Sequence, residues 1–154
     1  MPQATDYSIR QIGAEEVSLF RQLLAVMGEA FDAVDTYTRA QPRTAYLQTL
    51  LGRREFVALA AMLGEEVVGG LAAYELPKFE QERSEFYIYD LAVAAPHRRR
   101  GVATALIDRL RAIGAARGAY VIFVQADPPD APAVALYDKL GKREEVFHFD
   151  IAVE

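Results

Sequence analysis

No cysteine occurs in the 154 residues, which excludes disulfide bridges, thiolate metal centres and cysteine nucleophiles. Histidine is scarce, two residues in all, and neither has a carboxylate cluster beside it, so no metal site is expected. No apolar run approaches the roughly 18 residues that a membrane helix needs. The start, MPQATDYSIR, lacks the basic-then-apolar pattern of an export signal. The expected location is therefore the cytoplasm, with no membrane partner. Also missing are the Gly-Lys-Ser or Gly-Lys-Thr of a P-loop and the Gly-x-Gly-x-x-Gly of a dinucleotide fold. The interleaved aromatic and basic stripes of a nucleic-acid binder are missing too.

What is present is a mild excess of acid. Seventeen Lys and Arg stand against 22 Asp and Glu, a net charge of -5. That balance repels nucleic acid and attracts a cationic small molecule into an acidic cleft. A chain of this length buries enough surface for one core, so a single domain over 1–154 is predicted.

YSIRQI reads as a strand, and Val17, Phe20, Leu23, Leu24, Met27 and Phe31 then recur at helical spacing. DAVDTYTRAQPR is polar and suits a loop, and TAYLQTLLGR a short helix closed by Gly52. EFVALAAML and EVVGGLAAYEL flank a turn at Gly64, a hairpin pattern. EFYIYDLAV is a strand by its aromatic and β-branched content. The helix that follows near Gly101 has an apolar face of Leu106, Leu110 and Ile113. AYVIFVQA is apolar enough for a strand covered on both faces. A helix, APAVALYDKLG, and a last strand, REEVFHFDIAV, complete the chain. The order β-α-α-β-β-β-α-β-α-β predicts an α/β fold of the mixed α+β kind, a mostly antiparallel sheet flanked by helices.

HRRRGVATALIDRL places three arginines and a glycine at a helix entrance. Free amides and the positive end of the helix dipole favour an anion there, and guanidinium groups add charge-assisted bonds to phosphate oxygens. Arg98, Arg99, Arg100, Gly101, Val102, Ala103 and Thr104 form this candidate turn.

The string YDLAVAAPHRRRGVATALI resembles the acetyl-CoA-binding signature of the GCN5-related N-acetyltransferase (GNAT) superfamily, with Arg98, Gly101 and Ala103 on its key positions. Downstream, Tyr137, Lys139, Leu140 and Gly141 match a second family segment, and Asp130 stands where an Asn is common. LAAYELPKFEQERSEFYIYDLAV, with YVIFVQAD and REEVFHFDI, is similar to the GNAT-type aminoglycoside 3-N-acetyltransferases, the gentamicin-modifying group. The resemblance implies the GNAT fold, acetyl-CoA as co-substrate and an aminoglycoside as acceptor. It implies a homodimer as well. Leu91, Ala92 and Val93 would line the pantetheine, with the Val93 amide polarising the thioester carbonyl. Asp130 would contact the cofactor, and Tyr137 would be the general acid.

Acetyl transfer to an amine needs a neutral amine, a polarised carbonyl and a proton for the departing thiolate. Asp90, Glu85 and His148 are the candidate bases, Asp90 first among them. Strict alternation puts Glu85, Tyr87 and Tyr89 on one face and Phe86, Ile88 and Asp90 on the other, unless a bulge intervenes. Carboxylates that would pair with acceptor ammonium groups are Glu29, Asp32, Asp35, Asp127, Asp130 and Asp150, with His148 nearby in sequence. Direct transfer is expected, since no cysteine or Ser-His pairing offers an acyl-enzyme. The alternatives are a GNAT enzyme for a polyamine or protein N-terminus, and an acetyl-CoA sensor without turnover.

Overall fold

Five strands, β1 (Tyr7–Gln11), β2 (Phe56–Leu63), β3 (Glu66–Pro77), β4 (Ser84–Val93) and β5 (Ala119–Val124), lie side by side in chain order. Each pair is antiparallel except β4 and β5, which run parallel. This is the computed structural model of the chain, and it describes residues 2–154. Those residues form two compact units, the first ending at Val124 and the second comprising Gln125–Glu154.

In the first unit, period-2 alternation along β2 sends Phe56, Ala58 and Ala60 to one face. There they meet Val17, Phe20, Leu23 and Met27 of α1 (Val17–Ala30) and Leu47 and Leu51 of α3 (Thr44–Leu51) in one buried cluster. The intervening Val57 and Leu59 are fully buried on the opposite face. α4 (Val102–Ala116) packs on β3, β4 and β5 with Leu106 and Leu110 inaccessible to solvent. A side chain at Gly70 would put its Cβ 2.4 Å from both Leu23 Cδ1 and the Leu59 carbonyl oxygen. Glycine at that point lets α1 lie directly on β3.

The far end of β3 carries a buried acid. Glu75 is 7% exposed; it accepts from Ser84 Oγ at 2.6 Å and from Arg117 Nη1 at 3.0 Å, with Arg54 at 3.7 Å. Burial alone would raise its pKa, but the hydrogen bonds from Ser84 and Arg117 and the two guanidinium charges outweigh burial and hold it below the ordinary carboxylate value. This knot fastens the end of α4 to the β3–β4 pair.

Three expectations are corrected. DAVDTYTRAQPR is not wholly a loop: α2 (Val34–Thr38) forms within it. Its β-branched residues disfavour helix, and the turn is held instead by contacts outside itself, a Phe31–Tyr37 ring pair at 5.8 Å and a Tyr37 hydrogen bond to β4. β5 is not covered on both faces, because Tyr120 and Val121 are 49% and 40% exposed. It is the last strand of the sheet, and its apolar run reflects pairing with β4 and packing against α4.

The third correction lies in the second unit. α5 (Ala131–Leu140) begins where Asp130 Oδ1 accepts from the Ala133 amide at 3.3 Å, a side-chain N-cap. The expected strand after it is not formed, and residues 142–154 join no ladder. The alternating pattern of REEVFHFDIAV is real, yet a strand exists only through a partner's hydrogen bonds. Phe147, Phe149, Ile151 and Val153 accordingly stand 79–99% exposed.

Candidate functional site

The register between β3 and β4 slips once, between Ala72 and Ala73: Ala72 faces Asp90 while Ala73 faces Ile88, leaving Tyr89 as the extra residue of a β-bulge. The slip reverses the parity of everything after it. Phe86 and Ile88 point into the core, but Asp90 comes out on the same face as Tyr87, opposite to where unbroken alternation would put it. The bulge therefore turns a potential buried orphan charge into a cleft residue.

That cleft, about 190 Å³, is bounded by α1, α2, α3 and parts of β2, β3 and β4. Its polar centre is Asp90, the single charged residue in an otherwise apolar and aromatic lining, with Phe20, Tyr37, Tyr46, Phe56, Tyr74 and Tyr89 supplying the rings. Tyr37 Oη donates to Asp90 Oδ2 at 2.7 Å. Burial raises the pKa of Asp90 above the ordinary aspartate value, and the Tyr37 bond partly offsets this by stabilising the ionised form. Tyr37 in turn is pushed well above the usual phenol range, by burial first and then by Asp90, so it stays a donor at every physiological pH. A half-buried carboxylate with one fixed donor and an open cleft beside it has the attributes of a general base.

β4 outruns its parallel partner. The β4–β5 pairing ends at Ile88 opposite Val124, so from Asp90 to Val93 the strand is paired only with β3 among the described residues. Leu91 and Val93, two positions apart, direct their backbone groups the same way. Ala92 is buried between them, opposite Gly70. Strand-edge amides beyond the parallel partner are what a pantetheine chain would pair with. The Val93 carbonyl accepts from Arg98 Nε at 3.1 Å.

The turn after β4 is where a diphosphate could be held. The backbone enters the left-handed region at Arg99 (φ 62°) and again at Gly101 (φ 82°), the N-cap of α4. No side chain caps this helix and no acid occupies its first turn, in contrast to α5, which Asp130 caps. A side chain at Gly101 would be strained by its φ, and the space over it is open, the nearest atom being Ala4 Cβ at 4.0 Å. Val102 is buried and anchors the helix, while Ala103 and Thr104 are partly accessible beside it. His97 shares a 2.8 Å hydrogen bond with the Tyr7 hydroxyl, which ties the turn to β1. A second cleft of about 140 Å³ lies between the end of α1 and this turn, with Glu29 and Arg98 among its walls.

The other candidates are placed as follows. Glu85 is engaged outside the cleft, its Oε2 accepting from Tyr120 Oη at 3.0 Å and its Oε1 lying 3.5 Å from Lys78 Nζ. Asp32 and Asp35 are exposed and do not line the Asp90 cleft. In the second unit, Asp127 is exposed and its carbonyl accepts from the Asp130 amide at 2.9 Å. His148 Nε2 and Asp150 Oδ1 form an exposed 2.9 Å pair. Tyr137 is part-buried on α5, and burial together with the Asp130 charge raises its pKa, so its proton is retained at neutral pH. The sequence reading missed Tyr37, Tyr46, Tyr74 and Tyr89. Tyr37 and Asp90 are 53 positions apart, and no local pattern joins them.

Among the described residues no group of three or more His, Asp or Glu is arranged to hold a metal ion. No helix of those residues is long and apolar enough to cross a membrane.

Comparison with known proteins bears on the family and the fold. No protein of curated function matches the chain. Among solved structures, aminoglycoside acetyltransferase HMB0005 from an uncultured soil metagenomic sample is 63% identical, with 96% of this chain and 99% of that one covered and a TM-score of 0.95. Aminoglycoside acetyltransferase meta-AAC0020, also from an uncultured soil metagenomic sample and solved with sisomicin, is 28% identical over 97% and 98% of the two chains, with a TM-score of 0.90. Aminoglycoside N-acetyltransferase AAC(6')-Iy in complex with CoA shares the fold at 19% identity, a TM-score of 0.73 and 94% coverage of each chain. The model of the acetyltransferase (GNAT) family matches residues 21–142, from α1 through α5. With that match and the mixed five-stranded sheet, the chain belongs to the GNAT family and is an acetyl-CoA-dependent N-acetyltransferase.

Proposed function

We propose that the chain transfers acetyl from acetyl-CoA to the 3-amino group of the deoxystreptamine ring of an aminoglycoside, and so confers resistance to gentamicin-type drugs. The observation that carries this reading is the position of Asp90. It is the one charged group of an aromatic cleft, and it lies within the stretch of β4 that lacks a parallel partner. The acceptor class is supported by the 63% identical relative, itself named an aminoglycoside acetyltransferase. The 3-amino position rests on the resemblance of LAAYELPKFEQERSEFYIYDLAV to the 3-N-acetylating group.

The acetyl-CoA supplies an activated thioester. Arg98–Thr104 and the uncapped start of α4 hold its diphosphate, and Leu91, Ala92 and Val93 line its pantetheine, with the Val93 amide toward the carbonyl. Asp90 takes a proton from the acceptor ammonium, directly or through a water, and Tyr37 steadies the carboxylate. The freed nitrogen lone pair forms the C–N bond as the C–S bond breaks, and the new amide nitrogen releases its second proton to solvent. Tyr137 gives its hydroxyl proton to the departing sulfur and recovers one from solvent. Acetylation removes a positive charge and hydrogen-bond donors from the drug, weakening its contacts with anionic ribosomal RNA.

We read the assembly as a homodimer in the cytoplasm. The exposed Phe147, Phe149, Ile151 and Val153 support contact between copies, since apolar surface of this extent marks an interaction site. Light scattering on the purified chain tests the dimer. For the activity, gentamicin is incubated with acetyl-CoA and the product located by mass and two-dimensional NMR. One acetyl on the 3-amine is expected. Acetyl at the 6'-amine overturns the regiochemistry, and no acetylated drug overturns the acceptor class.

A further inference from the structure

An aminoglycoside carries several ammonium groups, yet the cleft lining contains one carboxylate, and Asp32 and Asp35 are not part of it. Something else must recognise the charge. Three tyrosines at the cleft expose far more ring than packing requires: Tyr46 is 59% exposed, Tyr89 63% and Tyr74 37%. They belong to three different elements, α3, β3 and the bulge of β4, and they converge. Tyr74 and Tyr89 meet edge to face with centroids 6.3 Å apart, and Phe56 backs Tyr74 at 5.1 Å. Burial and then Tyr46, Tyr89 and Asp90 together raise the Tyr74 phenol above its ordinary value, so all three are its electrostatic neighbours.

Ring faces carry the negative end of the aromatic quadrupole and attract a cation without themselves being charged. A single carboxylate among such rings recognises an ammonium while keeping the site dry enough to raise the carboxylate's pKa. A wall of aspartates would instead raise the pKa of the amine strongly and hold it charged.

We propose that Tyr46, Tyr74 and Tyr89 form an aromatic cage over Asp90 that seats an ammonium group of the acceptor, so that ring faces, with one carboxylate, select a cationic amine. This rests on the acceptor reading above. The bulge has a second consequence in this arrangement, because the same slip that exposes Asp90 places Tyr89 as the unpaired residue at the cleft mouth.

The full chain is tested in two ways. In steady-state assays on sisomicin, Tyr89→Leu raises KM by roughly 5- to 30-fold while kcat falls much less, and Tyr89→Phe, which keeps the ring face, recovers most of the lost affinity. Unchanged KM in Tyr89→Leu overturns the cage, and so does a Phe variant as weak as the Leu variant, which would assign the effect to the hydroxyl. In calorimetry, tetramethylammonium, which has no N–H to donate and no site for acetyl, is taken up by the wild type and less by Tyr74→Leu or Tyr89→Leu. Equal uptake by all three contradicts the cage. A wild type that binds tetramethylammonium through these tyrosines but acetylates no aminoglycoside keeps the cage and removes only the acceptor reading.

Discussion

The hydroxyl of Tyr37 on α2 donates across 2.7 Å to Asp90 Oδ2 on β4, so a one-turn helix and a strand of the sheet are joined at the carboxylate proposed as the base. Their pairing fixes both the direction and the acidity of the carboxylate.

Removing the donor therefore moves the pH profile. Tyr37→Phe takes away the bond that lowers the Asp90 pKa and leaves the burial that raises it. In the proposed mechanism the base works ionised, so the acid limb of kcat/KM is expected to move to higher pH. A profile whose acid limb is unmoved or shifts down would show that Tyr37 does not act through Asp90.

The same carboxylate costs stability at neutral pH. A folded-state pKa above the unfolded value means the folded chain binds the proton more tightly, so stability is greatest below the unfolded pKa and falls as pH rises through the folded one. Asp90→Asn abolishes this dependence while keeping an acceptor for Tyr37. Its Tm should exceed that of the wild type at pH 7, with the gap closing below about pH 4, near the unperturbed aspartate value. Equal Tm values at both pH values would contradict the burial argument.

Glu75 behaves with the opposite sign. Its folded pKa is lowered, so its contribution is present above the unfolded pKa and lost as pH falls through the folded one. Arg117→Ala removes one of the donors to the buried carboxylate and should cost about 1.5–3 kcal/mol, read as a lower urea midpoint at pH 7. The loss shrinks in acid, where Glu75 takes up a proton. A midpoint within error of the wild type would show that the knot contributes nothing.

At Gly70 the obstacle to a side chain includes a main-chain oxygen, which cannot swing aside. Gly70→Ala should destabilise by roughly 1–3 kcal/mol and displace α1, which also walls the cleft. Calorimetric Tm and CoA affinity, measured on the same preparation, check the two effects.

Much of the frame was legible in advance because it follows from period. The apolar spacing of α1 and α4, the turn glycine between β2 and β3, and the Arg-Gly entrance to α4 are local signals. The site was less legible because it depends on register. Alternation alone sends Asp90 into the core with Ile88, and only the one-residue slip at Ala72/Ala73 brings it out. Tyr37 sits in a segment that reads as loop, since its helix is held by contacts with Phe31 and Asp90 rather than by propensity. The acidic residues of EAFDAVDTY drew attention by charge, whereas the tyrosines that line the cleft are indistinguishable in sequence from ordinary strand aromatics. REEVFHFDIAV shows the reverse case, a clear strand pattern without a partner to make it one.

The most direct trial of the account is a single-turnover measurement of thiol release with gentamicin, wild type against Asp90→Asn, with the product weighed in parallel. The account predicts one acetyl on the drug per thiol released and a rate lower by about 10²–10⁴-fold in the variant. Equal rates in the two proteins, or thiol release without acetyl on the drug, would contradict it.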